Sequence, residues 1–427
     1  MNDPAQNYDS VSAAIARRLR ELSGYGRTRL IDPNADQDPA VFYVPGVLLT
    51  DQPRAVAALL ERLFPGSEVR VQDGETLARI HLPDNIPVCV PQLAADLNRR
   101  LSEEGFVSLN HILTLAPTPR IGPGDDPTPT DEPDPMGKEL DIDWQVAVVD
   151  TGLFGKTRSG LTPTSMTEPE VFDGDGDKVV DFAGSGHGGF IGGILKRMIP
   201  NLEVHVRDVV TRNLARHTFI IEEADIIADV DKVLGDRQVA VVNLSLGTYA
   251  DEGDVPALRA AMRRWIKQRP DVLFAAAAGN DATKDRFYPA AFAAEREFRE
   301  AVMSVGAFNT SPREADTTSG WAEFSNRGRW VRALAPGIHH HSDYMSGIEF
   351  VYGEDQTAGN SDRAKFEGLA EWSGTSFATP YAVAEVIHYA AACGFGNPRE
   401  AWEHLQRQTR KVVFPLNMPC PGAQPGC

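Results

Sequence analysis

The sequence predicts an α/β protein, with a doubly wound and mostly parallel sheet preceded by a small α+β domain. Three observations carry that expectation. From residue 144 onward, continuous apolar runs alternate with stretches of helical spacing. Before residue 117 the pattern reads β-α-β-β-α-β. Between the two lies 117–135, PTPRIGPGDDPTPTDEPDP, where seven of nineteen residues are Pro and five are acidic. A run of that kind cannot bury a face and is expected to lie extended and solvated.

The elements follow in order. In the leader, 42–49 has a strand pattern and 54–64 helical spacing. EVRVQD (68–73) and LARIHLP (77–83) alternate as strands do, 90–105 reads as a helix ending at Gly105, and 107–116 closes as a strand. That order is the one found in ferredoxin-like units. In the larger part, WQVAVVD (144–150), LEVHVRDVV (202–210), VAVVNLSLG (239–247) and DVLFAAAAGN (271–280) have the character of strands buried on both faces. Helices are expected at 219–236, 255–269 and 377–391. The expected domains are 1–116, a linker at 117–140, a catalytic-sized unit at 141–415 and a Pro/Gly-rich tail at 416–427.

Length agrees, since 427 residues at about 150 per domain suggests two or three units. Lys+Arg 42 against Asp+Glu 60 gives a net charge of −18, which argues against nucleic acid and against an anionic membrane surface. With no run of eighteen apolar residues and no signal-peptide core in the first 22 residues, the expected location is the cytoplasm. Those first residues have the spacing of a short amphipathic helix. Cys89, Cys393, Cys420 and Cys427 are too few and scattered for a disulfide scaffold. Cys420 and Cys427 share a tail and could pair, but free thiols are favoured.

Asp150-Thr151-Gly152 stands where the first strand of the larger domain stops. His187 opens an apolar helical run and is flanked by Gly186 and Gly188. Ser376 opens another, at the positive end of a helix dipole. Each has a plain structural alternative: a strand-end turn, a core histidine, a helix cap. Together, in the order Asp, His, Ser, they match the chain order of one known catalytic arrangement.

From about residue 141 to 415 the chain resembles the subtilisin-like serine proteases, the subtilases. Asp150-Thr151-Gly152 matches D-T-G, and His187-Gly188 with Gly193 matches H-G-x-x-x-x-G. Gly374-Thr375-Ser376-Phe377-Ala378-Thr379-Pro380 matches G-T-S-x-A-T-P. Ser245-Leu246-Gly247 and Ala277-Ala278-Gly279-Asn280 agree as well. The resemblance implies a serine endopeptidase in which Ser376 attacks a peptide carbonyl, His187 moves the proton and Asp150 fixes the imidazole. It gives Asn280 and the Ser376 amide the oxyanion. Ser245, Leu246 and Gly247 become the edge on which a protein or peptide substrate lies, and Ala277, Ala278 and Gly279 a wall of the P1 pocket. Tyr288-Pro289 resembles the Y-P beyond the pocket floor, which puts Phe287 at that floor, where it favours a small P1 residue; a plain core aromatic is the alternative. The resemblance further suggests a leader that folds as a prodomain, with a tail occupying the Ser245–Gly247 edge. A docking domain for another protein remains the alternative. A non-catalytic peptide-binding scaffold and an acyl-transferring ligase or macrocyclase are the competing functions.

Gly189 and Gly192 replace residues that are usually larger, and are expected to loosen the histidine helix. The segment 338–371 is expected to form a loop beside the active site, with His339-His340-His341 solvated rather than metal-binding. The chemistry implied needs no cofactor. Asp173, Asp175 and Asp177, with Asp181 beyond, resemble the first half of a calcium loop and are the candidate ligands for a structural Ca²⁺, an acidic turn being the alternative.

Overall fold

Alternation along the first strand of the larger domain sets its architecture. In β6 (Gln145–Asp150), Val146 and Val148 point into one apolar cluster, while Ala147 and Val149 point into another. A strand buried on both faces needs a helical layer on each, and this chain supplies both. The computed structural model describes residues 41–66, 69–72, 76–83, 89–101, 105–115, 126–155, 157–171, 178–180, 184–213, 218–250, 254–309, 320–351, 363–416 and 420.

The leader runs β1 (Tyr43–Thr50), α1 (Pro53–Leu63), β2 (Arg70–Gln72), β3 (Ala78–His81), α2 (Val90–Asn98) and β4 (Val107–Leu115). Its strands pair antiparallel in the order β4-β1-β3-β2, as the expected β-α-β-β-α-β topology requires. Leu48, Val56, Leu60, Ile80, Leu97 and Leu109 make a core of its own. In the linker, β5 (Thr128–Pro129) pairs with β17 (Arg363–Trp372), Ala370 facing Pro129 and Glu371 facing Thr128. Strand β5 is extended and both its side chains are exposed, as expected of that run, while its backbone is taken up by the larger domain.

The larger domain continues after β6 with α3 (His187–Met198), β7 (Glu203–Asp208), β8 (Val210–Asn213), β9 (Thr218–Glu222), α4 (Glu223–Val233), β10 (Val239–Leu244) and β11 (Leu246–Tyr249). Then come α5 (Pro256–Gln268), β12 (Leu273–Ala277), β13 (Phe287–Tyr288), β14 (Val302–Phe308), β15 (Ala333–Pro336), β16 (His340–Val351), β17 (Arg363–Trp372), α6 (Thr375–Cys393), α7 (Pro398–Gln408) and β18 (Val412–Val413). The main sheet has the order β18-β15-β14-β12-β10-β6-β7, and every pairing in it is parallel. Residues of α3 and α6 fill one face and residues of α4 and α5 the other.

Three expectations change. The stretch 219–236 is not one helix: Thr218–Glu222 is a strand, and the helix begins at Glu223. The segment 338–371 is not a loop, because β16 and β17 form a long antiparallel hairpin whose Tyr344, Ile348, Phe366 and Trp372 pack into the α3 and α6 layer. Within it His340 is buried. Cys393, the last residue of α6, is disulfide-bonded to Cys420, so neither is a free thiol, while Cys89 is free and exposed. Cys427 and the N-terminal amphipathic stretch lie outside the described residues. Among the described residues no helix is long and apolar enough to cross a membrane.

Candidate active site

Asp150 ends β6 and is completely buried. Its Oδ1 accepts the Thr151 amide at 2.9 Å and lies 2.8 Å from His187 Nδ1. Beside a buried carboxylate the imidazole carries its proton on Nδ1, which leaves Nε2 as the basic nitrogen. Neither His187 Nε2 nor Asp150 Oδ2 has a hydrogen-bond partner among the described residues.

The local sequence explains the placement. Gly186, at φ +82°, makes the tight turn into α3. Thr151 Oγ1 accepts the Gly188 amide at 3.0 Å, satisfying one of the free donors at the helix start. The ring of His187 is held 5.6 Å from that of Trp372 and 5.3 Å from that of Phe377. The α3 glycines tighten this packing rather than loosen it. A Cβ at Gly189 would overlap the Phe154 ring, and one at Gly192 would lie 2.6 Å from a Leu161 methyl carbon.

Ser376, next to Phe377, is the second residue of α6 and fully buried. Its Oγ donates to the Ser245 carbonyl at 3.1 Å, and Ser245 Oγ donates back to the Ser376 carbonyl at 2.9 Å. The start of α6 is thereby locked to the junction of β10 and β11. Asn280 follows β12, and its Oδ1 accepts the Thr375 amide at 2.9 Å. That bond fixes which end of the carboxamide is which. Gly279 donates its amide to Thr375 Oγ1 at 3.1 Å.

Leu246 and Gly247 lie on β11, beside β13 on one edge and β4 on the other. Ala277 and Ala278 are buried at the end of β12. Phe287 fills the space between these segments. A Cβ on Gly247 would overlap its ring, and one on Gly279 would lie 3.2 Å from it. Of the residues singled out in the sequence, the structure pairs Asp150 with His187, Ser376 with Ser245, and Asn280 with the Thr375 amide, but Ser376 Oγ bonds the Ser245 carbonyl and not His187 Nε2. Asp173, Asp175, Asp177 and Asp181 lie outside the described residues. His339 Nδ1 and His341 Nε2 each bond one oxygen of Glu371, at 2.6 and 2.8 Å, and His340 Nε2 bonds the Pro336 carbonyl at 2.9 Å. Among the described residues no group of three or more His, Cys, Asp or Glu is arranged to hold a metal ion.

Of two further features, the first touches the Ser245–Gly247 edge on which the resemblance put the leader's tail, and the second had no sequence signal. The leader's β4 lies between β11 and β9, pairing antiparallel with both: Leu115 faces Leu246, Thr114 faces Gly247, and Leu113 faces Ile221. Glu170 also stands close by, buried, with Oε1 accepting the Gly186 amide at 2.8 Å and Oε2 without a hydrogen-bond partner. Burial pushes its carboxyl well above the usual range, and the charges of Asp208 and Asp150 push the same way.

A parallel sheet with this buried Asp–His pair at one strand end defines a class, and sequence comparison agrees. The model of the subtilase family matches residues 145–404, and the chain belongs to that family. It is 29% identical over 263 residues to a thermophilic serine proteinase of Bacillus sp. (strain AK1), an alignment covering 59% of this chain and 53% of the relative. The chain thus spans about half the length of that curated relative. Among solved structures, fervidolysin from Fervidobacterium pennivorans, described as a keratinolytic enzyme related to subtilisin, aligns with a TM-score of 0.57 at 18% identity, covering 86% of this chain and 57% of that one. The prenylagaramide maturation protease PagA aligns with a TM-score of 0.44 at 19% identity, covering 63% of this chain and 83% of that one.

Proposed function

We propose that this chain is a serine endopeptidase restrained by its own leader. The observation that carries the reading is the fully buried Asp150–His187 pair at 2.8 Å, packed against Phe377, the neighbour of Ser376. In this mechanism Ser376 Oγ attacks the carbonyl carbon while its proton passes to His187 Nε2, and the Asp150 carboxylate stabilises the imidazolium. Asn280 Nδ2 and the Ser376 amide donate to the oxyanion. The tetrahedral intermediate collapses as the imidazolium protonates the departing amine. Water, deprotonated by the same nitrogen, then releases the acid and restores Ser376.

Phe287 between Gly247 and Gly279 supports a pocket for small P1 residues. The β4 strand between β11 and β9 supports inhibition by strand addition, the mode in which a substrate would bind. Calcium at Asp173, Asp175 and Asp177 stands as a further proposal, checked by melting in chelator against millimolar calcium; a higher Tm with calcium is expected.

The deciding experiment is peptide turnover with mass analysis of the products. Wild type is expected to give fragments that together equal substrate plus water, and Ser376→Ala none. A product joining the acyl part to an added amine would mark transfer instead. Turnover undiminished in Ser376→Ala would refute the nucleophile.

A further inference from the structure

Residues 278–283 follow β12 and carry Asn280, yet their backbone is not relaxed. Gly279 has φ +93° and Ala282, which has a Cβ, has φ +54°. A non-glycine residue in the left-handed region is costly and persists only where its surroundings over-determine it. Here the surroundings are one segment and, above all, one side chain. Ala282 donates its amide to the Phe324 carbonyl at 2.8 Å, and Arg327 donates to Thr283 at 2.8 Å.

Between them sits Asn326, fully buried. Its Oδ1 accepts the amides of Asp281 at 3.0 Å and Thr283 at 3.2 Å. Its Nδ2 donates to the Ala278 carbonyl at 2.9 Å and to Tyr249 Oη at 2.8 Å, and its own amide donates to Gly279 at 2.9 Å. One carboxamide thus grips the loop on both sides of Asn280, through Ala278 and Gly279 before it and Asp281 and Thr283 after it. The grip is close, because a Cβ at Gly279 would overlap Asn326 Nδ2. Tyr249 extends the contact to Asp281 by a further hydrogen bond and to the ring of Phe287, 5.0 Å away.

We propose that Asn326 is a positioning residue for oxyanion stabilisation: it holds the strained 278–283 loop in the one conformation that aims the Asn280 amide at the developing charge. Asn326 touches no reacting atom; it acts through Asn280. The inference rests on the protease reading, since an oxyanion donor matters only if Ser376 acylates. An active-site misplacement on the scale of 1 Å can cost about a hundredfold in rate, so a loop released from its clasp should lose much of what Asn280 contributes.

The test is a double-mutant cycle on the full chain, with turnover of a short peptide measured for wild type, Asn326→Ala, Asn280→Ala and the double variant. Whatever fraction of molecules the leader holds closed cancels in these ratios. Asn326→Ala should lower kcat about tenfold or more with KM changed less than about twofold, and in the Asn280→Ala background the same substitution should cost under about twofold. Tyr249→Phe keeps the ring against Phe287 and removes only the hydroxyl. It should lose about two- to threefold in kcat and serves if Asn326→Ala does not fold. A loss equal in both backgrounds, or one confined to KM, would overturn the assignment for Asn326 alone. Wild-type turnover that survives Ser376→Ala would instead overturn the protease reading beneath it.

Discussion

In the proposed mechanism Asn280 and Phe287 divide the labour of the site between charge and shape. With Asn280 donating to the oxyanion as proposed, Asn280→Ala is expected to lose about 10² to 10³ in kcat with KM little changed, measured on a short peptide. Phe287 packs between two glycines whose missing side chains make room for its ring. Phe287→Ala should cost about 3–5 kcal/mol of stability, as buried Phe truncations do. It should also raise kcat/KM for peptides with a large apolar P1 residue relative to those with Ala. A P1 profile identical to wild type would return Phe287 to an ordinary core role. Both residues could be singled out in the sequence because each lies in a short local pattern that resembles the family's, although for Phe287 a core aromatic read equally well. Asn326 could not. Its partners Tyr249 and Ala278 are 77 and 48 residues away, and no local pattern around it reports a contact that only the fold creates.

At the scale of elements, the placement of His187 depends on α3 seating deeply against its neighbours. Gly189→Ala would drive a methyl into the Phe154 ring, and a loss of about 1–3 kcal/mol is expected from such overpacking, seen as a lower denaturant midpoint with unchanged slope. Glu170 braces the turn at Gly186 and titrates in a definite direction. Its folded pKa is raised, so the folded state binds more protons, and the stability this contributes is complete below the unfolded value near 4.5 and lost as pH rises through the folded value. Glu170→Gln keeps an acceptor for Gly186 and cannot ionise. Its Tm relative to wild type should therefore climb as pH rises above the unfolded value near 4.5; a constant difference would show that Glu170 does not titrate in that direction. Strands β6, β10 and β12 were readable because they are almost continuously apolar, and β7 because Val204 and Val206 mark it; β14, β15 and β18 of the same sheet were not picked out. Nor was the β16–β17 hairpin, because only one of its faces packs, and β17 reads R-A-K-F-E-G-L-A-E-W, with exposed Arg363, Lys365 and Glu367 between inward residues. Strand β9 was missed for another reason. It runs into α4 without a breaking residue, so FIIEEADII has one continuous apolar pattern across two elements.

On the scale of the whole molecule, the leader and the larger domain meet along β9, α4 and β11, the last being the edge proposed to bind substrate. Asn110 Nδ2 donates to Glu222 Oε2 at 2.8 Å, and the Ala224 amide donates to Asn110 Oδ1 at 3.3 Å. His111 Nδ1 lies 2.6 Å from Glu223 Oε2, both buried; Thr76 Oγ1 donates to Asp231 at 2.7 Å, and Arg79 pairs with Asp225. The polar contacts thus concentrate on α4, while the end of β4 pairs with β11 and β9. Leu113 and Leu115 belong to the apolar cluster of the larger domain that contains Ile221 and Leu246, not to the leader's own core. That division makes a selective test available. Asp at both positions would bury two carboxylates in apolar surroundings, a cost of at least several kcal/mol, yet would leave Leu48, Ile80 and Leu109 to hold the leader together. Each 1.4 kcal/mol taken from the closed state raises the open fraction tenfold until opening saturates. The full chain carrying Leu113→Asp and Leu115→Asp should therefore hydrolyse a short peptide at least about tenfold faster than wild type at limiting substrate, and added leader should slow it again. Wild type is expected to keep its intact mass, because the sequence after Leu115 continues Ala116-Pro117-Thr118-Pro119, where imide bonds resist attack. Equal turnover in the two proteins, with hydrogen exchange showing β4 released in the variant, would mean that the strand does not restrain the enzyme, and would leave the leader as a docking domain for another protein.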